Sequence, residues 1–235
     1  MRPQYMSEPL PAENVDPAFE PRPRPPRDPI EGRTVRLEAF DVARHARHLF
    51  DAFQSDAEGH IWDYLAYGPF PDLTSYVTHA RRTMVGRDPF FHAIVDKATE
   101  RPTGVAALMR IVPEHGVIEV GHLCYGPALQ RTVQATEAQY LLMRRVFEEL
   151  GYRRYEWKCN AENEASMRAA ERLGFRYEGT FRKHMVVKGR NRDTAWFSIT
   201  DDEWPQVKQA LEAWLSPQNF DAEGQQRSRL MVWQS

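Results

Sequence analysis

The sequence predicts an α/β fold, a mixed and mostly antiparallel central sheet flanked by helices. Three observations point to it. Short runs of alternating apolar and polar residues stand at both ends of the globular part, as in antiparallel meanders. Between Glu119 and Phe175 the pattern changes to strand, helix, strand, helix, which brings parallel strands together. The 235 residues, 42% hydrophobic and 27% charged, can bury a full core without a disulfide or metal staple.

Composition narrows the function. A net charge of −2 gives no global pull toward nucleic acid or an anionic membrane, so neither is an expected partner. No apolar run approaches a membrane span, and the first residues lack the apolar core of a signal peptide. Two cysteines, Cys124 and Cys159, stand without zinc spacing, which favours a reducing, cytoplasmic compartment.

Nine of the seventeen prolines lie within residues 1–29, where Pro21-Arg22-Pro23-Arg24-Pro25-Pro26-Arg27 favours polyproline II and a flexible or surface-wrapping arm. A globular domain is expected over 30–217 and a tail over 218–235. Val35, Leu37 and Ala39 alternate as a strand. Asp41 then caps a helix to about Phe53, on which His45 and His48 read as surface or boundary residues. The loop Ile61 to Phe70 is too aromatic to be a free linker. A second helix runs from Asp72 to about Val85. Strands follow at Phe90–Val95, Thr103–Ile111 and Val117–Tyr125, then a helix over Gln134–Leu150 and a strand over Arg154–Cys159. Asn163 opens the next helix. Strands near Phe175–Phe181 and His184–Val187 precede a Lys188-Gly189-Arg190-Asn191 turn and a strand over Asp193–Ile199; the segment Lys188-Gly189-Arg190-Asn191-Arg192-Asp193 reads as a hairpin turn with solvated charges or as a rim to an acceptor site. Thr200-Asp201-Asp202-Glu203 reads as a capping box before a helix that Ser216-Pro217 ends.

Two segments carry chemistry. The helix entered through Gln130-Arg131-Thr132-Val133-Gln134-Ala135-Thr136 presents backbone N–H groups and the positive end of its dipole, which suits a pyrophosphate. Downstream, Asn163-x-x-Ser166 is followed eight residues later by Gly174-Phe175. Together these segments resemble the core of the GNAT superfamily of acetyl-CoA-dependent N-acyltransferases, and most closely its Rim-type branch of ribosomal-protein acetyltransferases. The resemblance covers about residues 30 to 200. It implies a sheet in which two neighbouring parallel strands, here Val117–Tyr125 and Arg154–Cys159, splay apart to admit pantetheine.

The resemblance also implies roles. Acetyl-CoA is the cosubstrate, and an amine, on a protein or a small molecule, is the acceptor; a homodimer is kept open. Backbone groups near Leu123 and Tyr125 would meet pantetheine. Arg131, Thr132, Val133, Gln134, Ala135 and Thr136 would hold phosphate, and Asn163 and Ser166 would contact the pantetheine. Val133 departs from the family's first loop glycine, since valine resists positive φ. Ala170 stands where many members carry an acidic tyrosine, so Ser166 is the nearest group to protonate the leaving thiolate. Glu119 is the preferred base, direct or through water, with His122 second. The two point to opposite faces of a regular strand unless a bulge, made possible by Gly121, brings them together. Val133 and Ala170 also motivate an alternative, a non-catalytic acyl-CoA-binding or interaction module. The cysteines have no local activating histidine and read as small hydrophobes.

Overall fold

In the structure, a computed structural model that describes residues 19–233, eight strands form one sheet in the order β1-β2-β3-β4-β5-β6-β8-β7. They are β1 (Ile30–Glu31), β2 (Val35–Ala39), β3 (Phe90–Asp96), β4 (Arg101–Val112), β5 (Val117–Tyr125), β6 (Arg154–Asn160), β7 (Arg176–Val187) and β8 (Arg190–Thr200). All neighbours are antiparallel except β5 and β6. The mixed, mostly antiparallel sheet expected from the sequence is therefore present.

Helices α1 (Val42–Gln54) and α2 (Leu73–Thr83) cover one face of the sheet, and α3 (Val133–Arg144) and α5 (Trp204–Leu215) the other. The sheet's alternation sorts two cores. Phe91, Val105, Ala107 and Cys124 pack under α1 and α2 with Leu49, Phe53, Trp62 and Tyr76. Ile94, Ala106, Leu108, Ile118 and Val120 pack under α3 and α5. The helix starts follow local rules. Asp41 accepts the Arg44 N–H at 2.8 Å, and Asp72 accepts the Ser75 N–H at 2.8 Å. Asn163, capping α4 (Glu164–Arg172), accepts the Ser166 N–H at 3.0 Å.

Several expectations need correction. His45 is buried, not at the surface: its Nδ1 accepts the Asp41 N–H at 3.0 Å and its Nε2 meets Glu38 at 3.0 Å, while His48 is exposed. The expected Gln134–Leu150 helix is α3 followed by a π-helical turn, Arg145–Glu149, in which the Leu150 N–H reaches Arg145 O. That turn places buried Arg145 to donate to Asp28 O at 2.7 Å, so residues 22–28 lie along the domain, with the Arg22 N–H on Pro113 O and the Tyr152 hydroxyl on Pro23 O. The two strands expected over 175–187 are one, β7, interrupted by a register shift between Phe181 and Met185 where Lys183 takes φ 51°. The capping box is half formed, because Glu203 accepts the Thr200 N–H while Thr200 stays in β8. After α5 the chain returns to bury Leu230 and Val232 in the larger core, and Trp233 donates to Gly174 O. The expected arm's residues 1–18 lie outside the described residues.

Candidate active site

The site begins where β5 and β6 part. Their parallel ladder runs from Val117↔Arg154 to Val120↔Trp157 and stops. Beyond it β5 stays with β4 through Gly104↔Tyr125, and β6 stays with β8 through Asn160↔Thr194. A wedge therefore opens between Gly121–Tyr125 and Lys158–Asn160, and the inner edge of β5 has no strand partner there. Leu123 and Tyr125 lie along it, though the Tyr125 carbonyl is already taken by Gln130 Nε2 at 2.9 Å.

At the β5 end of the wedge the chain enters α3. Thr132 is the cap: its Oγ1 accepts the Ala135 N–H at 3.1 Å and donates to Leu129 O at 2.6 Å. The amides of Arg131, Thr132, Val133 and Gln134 have no hydrogen-bond partner among the described residues. Four open donors at a helix start suit an anion. Val133 is the first helical residue, and the loop's positive φ of 60° falls on exposed Arg131 instead. Positive φ is thus not asked of Val133. Gln134 and Ala135 are half-buried in the first turn. Thr136 is not open to that anion site, because its buried hydroxyl receives Arg172 Nη1 at 3.1 Å.

On the α4 side, Ser166 Oγ accepts the Trp157 indole N–H at 3.0 Å and lies beside the Cys159 thiol. Its own proton is therefore the part left to donate. Burial pushes both thiols up, Cys124 very far, so neither is an activated nucleophile.

Glu119 and His122 both lie on β5, Glu119 within the last part of the parallel ladder and His122 just past its end. Gly121 pairs with Ala107 and Cys124 with Val105, so His122 and Leu123 together oppose one residue, a bulge in which His122 takes φ 50°. The strain sits on His122, whereas Gly121 makes room: a Cβ there would lie 2.5 Å from Met109 Sδ. The bulge turns His122 onto Phe91 and Tyr67, with Nδ1 3.2 Å from the Tyr67 hydroxyl. This is the α1/α2 face, where Glu119 also lies. Burial, with the nearby His79 and Arg110 charges, holds His122 down to about 4, so it is neutral at pH 7.

Glu119 is buried and its Oε2 takes both Arg110 Nη1 at 3.0 Å and Lys158 Nζ at 2.9 Å. Lys158 also bonds Glu156 at 2.6 Å and lies 3.8 Å from the centre of the Trp196 ring. The row continues through Arg154 to Glu178.

A family model described as acetyltransferase (GNAT) domain matches residues 34–176. The chain belongs to the GNAT acetyltransferase family. It is 50% identical to a GCN5-related N-acetyltransferase from Brucella melitensis of known crystal structure, over 91% of this chain and 96% of that one, with a TM-score of 0.89. A GNAT-family structure from Chromobacterium violaceum is 40% identical over 83% of this chain and 98% of its own, at a TM-score of 0.78. A structure from Vibrio cholerae assigned as a ribosomal-protein-serine acetyltransferase shares the fold at 20% identity, 74% and 98% coverage and a TM-score of 0.63. No significant match is found among curated proteins. The protein is thus an acetyl-CoA-dependent N-acyltransferase, and the open amides and the wedge fit that cosubstrate. Among the described residues no helix is long and apolar enough to cross a membrane.

Sequence reading missed Arg110, Trp157, Lys158 and Trp196, and placed Arg192 only within a segment that reads as solvated or as a rim to an acceptor site. Lys158 and Trp157 alternate on β6 and Arg192 and Trp196 share a face of β8, but no motif marks them. Only the register of the sheet brings them to the wedge.

Proposed function

We propose that the protein acetylates a primary amine, a small molecule or a protein N-terminus, by direct attack of the amine on acetyl-CoA in the manner of the Rim-type branch. The observation that carries this reading is the wedge between β5 and β6, with open amides at one end and the Glu119–His122 pair on β5 where the two strands part. The pyrophosphate rests on the amides of residues 131–134. The pantetheine lies along β5, flanked by Asn163 and Ser166, and free N–H groups of β5 polarise the thioester carbonyl. The amine arrives from the α1/α2 face. Glu119, with Oε1 outside its two ion pairs, takes the ammonium proton directly or through water. His122, oriented by Tyr67, lines the same pocket, and Ser166 donates to the departing thiolate.

The reading as a non-catalytic module loses its motive at Val133, since no positive φ is asked of that residue. Two buried free thiols accord with a reducing cytoplasmic setting. The reading includes a homodimer, supported by edge strand β7, which exposes Tyr177, Phe181, Met185 and Val186; light scattering tests it. The function itself is tested by incubating acetyl-CoA with a panel of amines and reading released thiol. At least one amine should raise release by more than about a hundredfold over hydrolysis. A flat panel with tight CoA binding would return the protein to the non-catalytic class.

A further inference from the structure

On the α1/α2 face of the sheet, beside the wedge, Arg110, Lys158 and Arg154 are matched by Glu119, Glu156 and Glu178. Arg192 of β8 is left over. No carboxylate among the described residues forms an ion pair with it, and its Nε is buried with no hydrogen-bond partner. Two positions along the same strand face, the indole N–H of Trp196 is also buried and unpartnered. Burial works against the Arg192 charge, and Arg192 stands two residues before Thr194, the partner of Asn160, beside the opened end of β6. A half-buried guanidinium with no carboxylate of its own chain beside it is suited to an anion supplied from outside.

The surroundings indicate that partner's size and charge. Arg192 lines a cavity of about 190 Å³ with Asp63, Tyr64, Asn160, Glu162 and Lys188. Lys188 Nζ donates to Trp62 O at 2.9 Å, and the Tyr64 hydroxyl donates to Glu162 O at 3.1 Å, so the β7–β8 turn and the aromatic loop close over it. The rim carries carboxylates as well as cations, which disfavours a polyanion such as a nucleotide or nucleic acid and suits a compact zwitterion.

We propose that Arg192 binds the carboxylate of the acceptor, and that the acceptor is therefore an amino-acid-like molecule bearing both an amine and a carboxylate. This rests on the amine-acetylation reading above and narrows it to one class. A planar guanidinium takes a carboxylate through two parallel N–H bonds, which fixes the amine's direction as well as its affinity.

The test offers the twenty amino acids, each as free acid and as carboxamide, with saturating acetyl-CoA, to the wild type, Arg192→Gln and Arg192→Lys. For the best substrate the wild type should prefer the acid over the amide by at least about tenfold in kcat/KM, carried mainly by KM. Arg192→Gln should lose about thirtyfold or more on the acid, stay within about threefold on the amide, and so erase the preference. Arg192→Lys should restore part of it. Equal use of acid and amide by the wild type, or a preference that survives in Arg192→Gln, overturns the proposal while leaving acetyl transfer intact. If no amine is acetylated, the amine reading falls by itself. The anion site is then decided by calorimetric titration of N-acetylphenylalanine and its amide onto the CoA-loaded protein. Acid-selective binding lost in Arg192→Gln supports the site, and unselective or absent binding refutes it. Circular dichroism of each variant separates lost binding from lost folding.

Discussion

Glu119 and His122 share one face because His122 accepts a left-handed backbone, and their surroundings differ. His122 is neutral throughout the physiological range, and held down to about 4 it is a weak proton acceptor. Glu119 is held between Arg110 and Lys158, with one oxygen outside those pairs. Glu119→Gln keeps the shape and removes the charge. We expect turnover at neutral pH to fall by about a hundredfold to ten-thousandfold, with partial recovery as pH rises and the free amine forms unaided. His122→Gln should lose less and show no such recovery. Because His122 charges only near pH 4, it should impose no acidic limb between pH 5.5 and 9. A limb in that window that vanishes in His122→Gln would reverse the assignment. At Ser166, held by the Trp157 indole, replacement by alanine should slow chemistry by about tenfold to a thousandfold in single-turnover measurements. An unchanged rate would leave the serine as a helix-start residue.

At the scale of elements, α3 does two jobs, and only one is written locally. Its open N-terminus follows from the cap at Thr132 and was readable from residues 130–136. Its attachment to the rest of the sheet was not. Buried Glu137 accepts the N–H groups of Arg33, Thr34 and Val35, at 2.6, 2.7 and 3.2 Å, and the Thr34 hydroxyl, so one carboxylate pins the start of β2 to the helix. Glu137→Gln turns two of its donors against those N–H groups. We expect a loss of about 2–4 kcal/mol, seen by calorimetry as a melting point lower by roughly 5–15 °C. A shift under 2 °C would mean that the carboxylate is dispensable. The same contrast explains what the sequence disclosed elsewhere. Asp41, Asp72 and Asn163 were legible because a cap bonds within three residues. The hold of Arg145 on Asp28 and the turn of His122 onto Tyr67 depend on partners 117 and 55 residues away, which no short pattern records; His45 meets Asp41 and Glu38 within seven residues, but its burial is set by the packing of the helix on the sheet.

Across the whole molecule, buried histidines give stability a direction with pH. His92 lies in β3 with 1% of its surface exposed, and neither ring nitrogen makes a sound hydrogen bond, the Phe90 backbone offering only a weak one. Burial first, then the charges of Arg145 and Arg27, push it down to about 3. His122 is held at about 4, and burial also lowers His45 and His79. Unfolding releases all four to the ordinary value near 6.5, so between about pH 4 and 6.5 the unfolded chain binds more protons. Stability is then complete above about pH 7 and falls as pH drops through that window. Glu38, Glu148 and Glu178, whose carboxyls are held low by Arg36, Lys208 and Arg154 respectively, add a further loss only below about pH 4.5. His92→Phe isolates one term, since it removes the titrating ring and keeps an aromatic ring that can pack on Phe90, 4.6 Å away. Urea midpoints of the wild type should drop between pH 6.5 and 4.5 by more than those of His92→Phe, the difference amounting to about 2–3 kcal/mol. Parallel curves for the two proteins would show that His92 does not couple folding to protons.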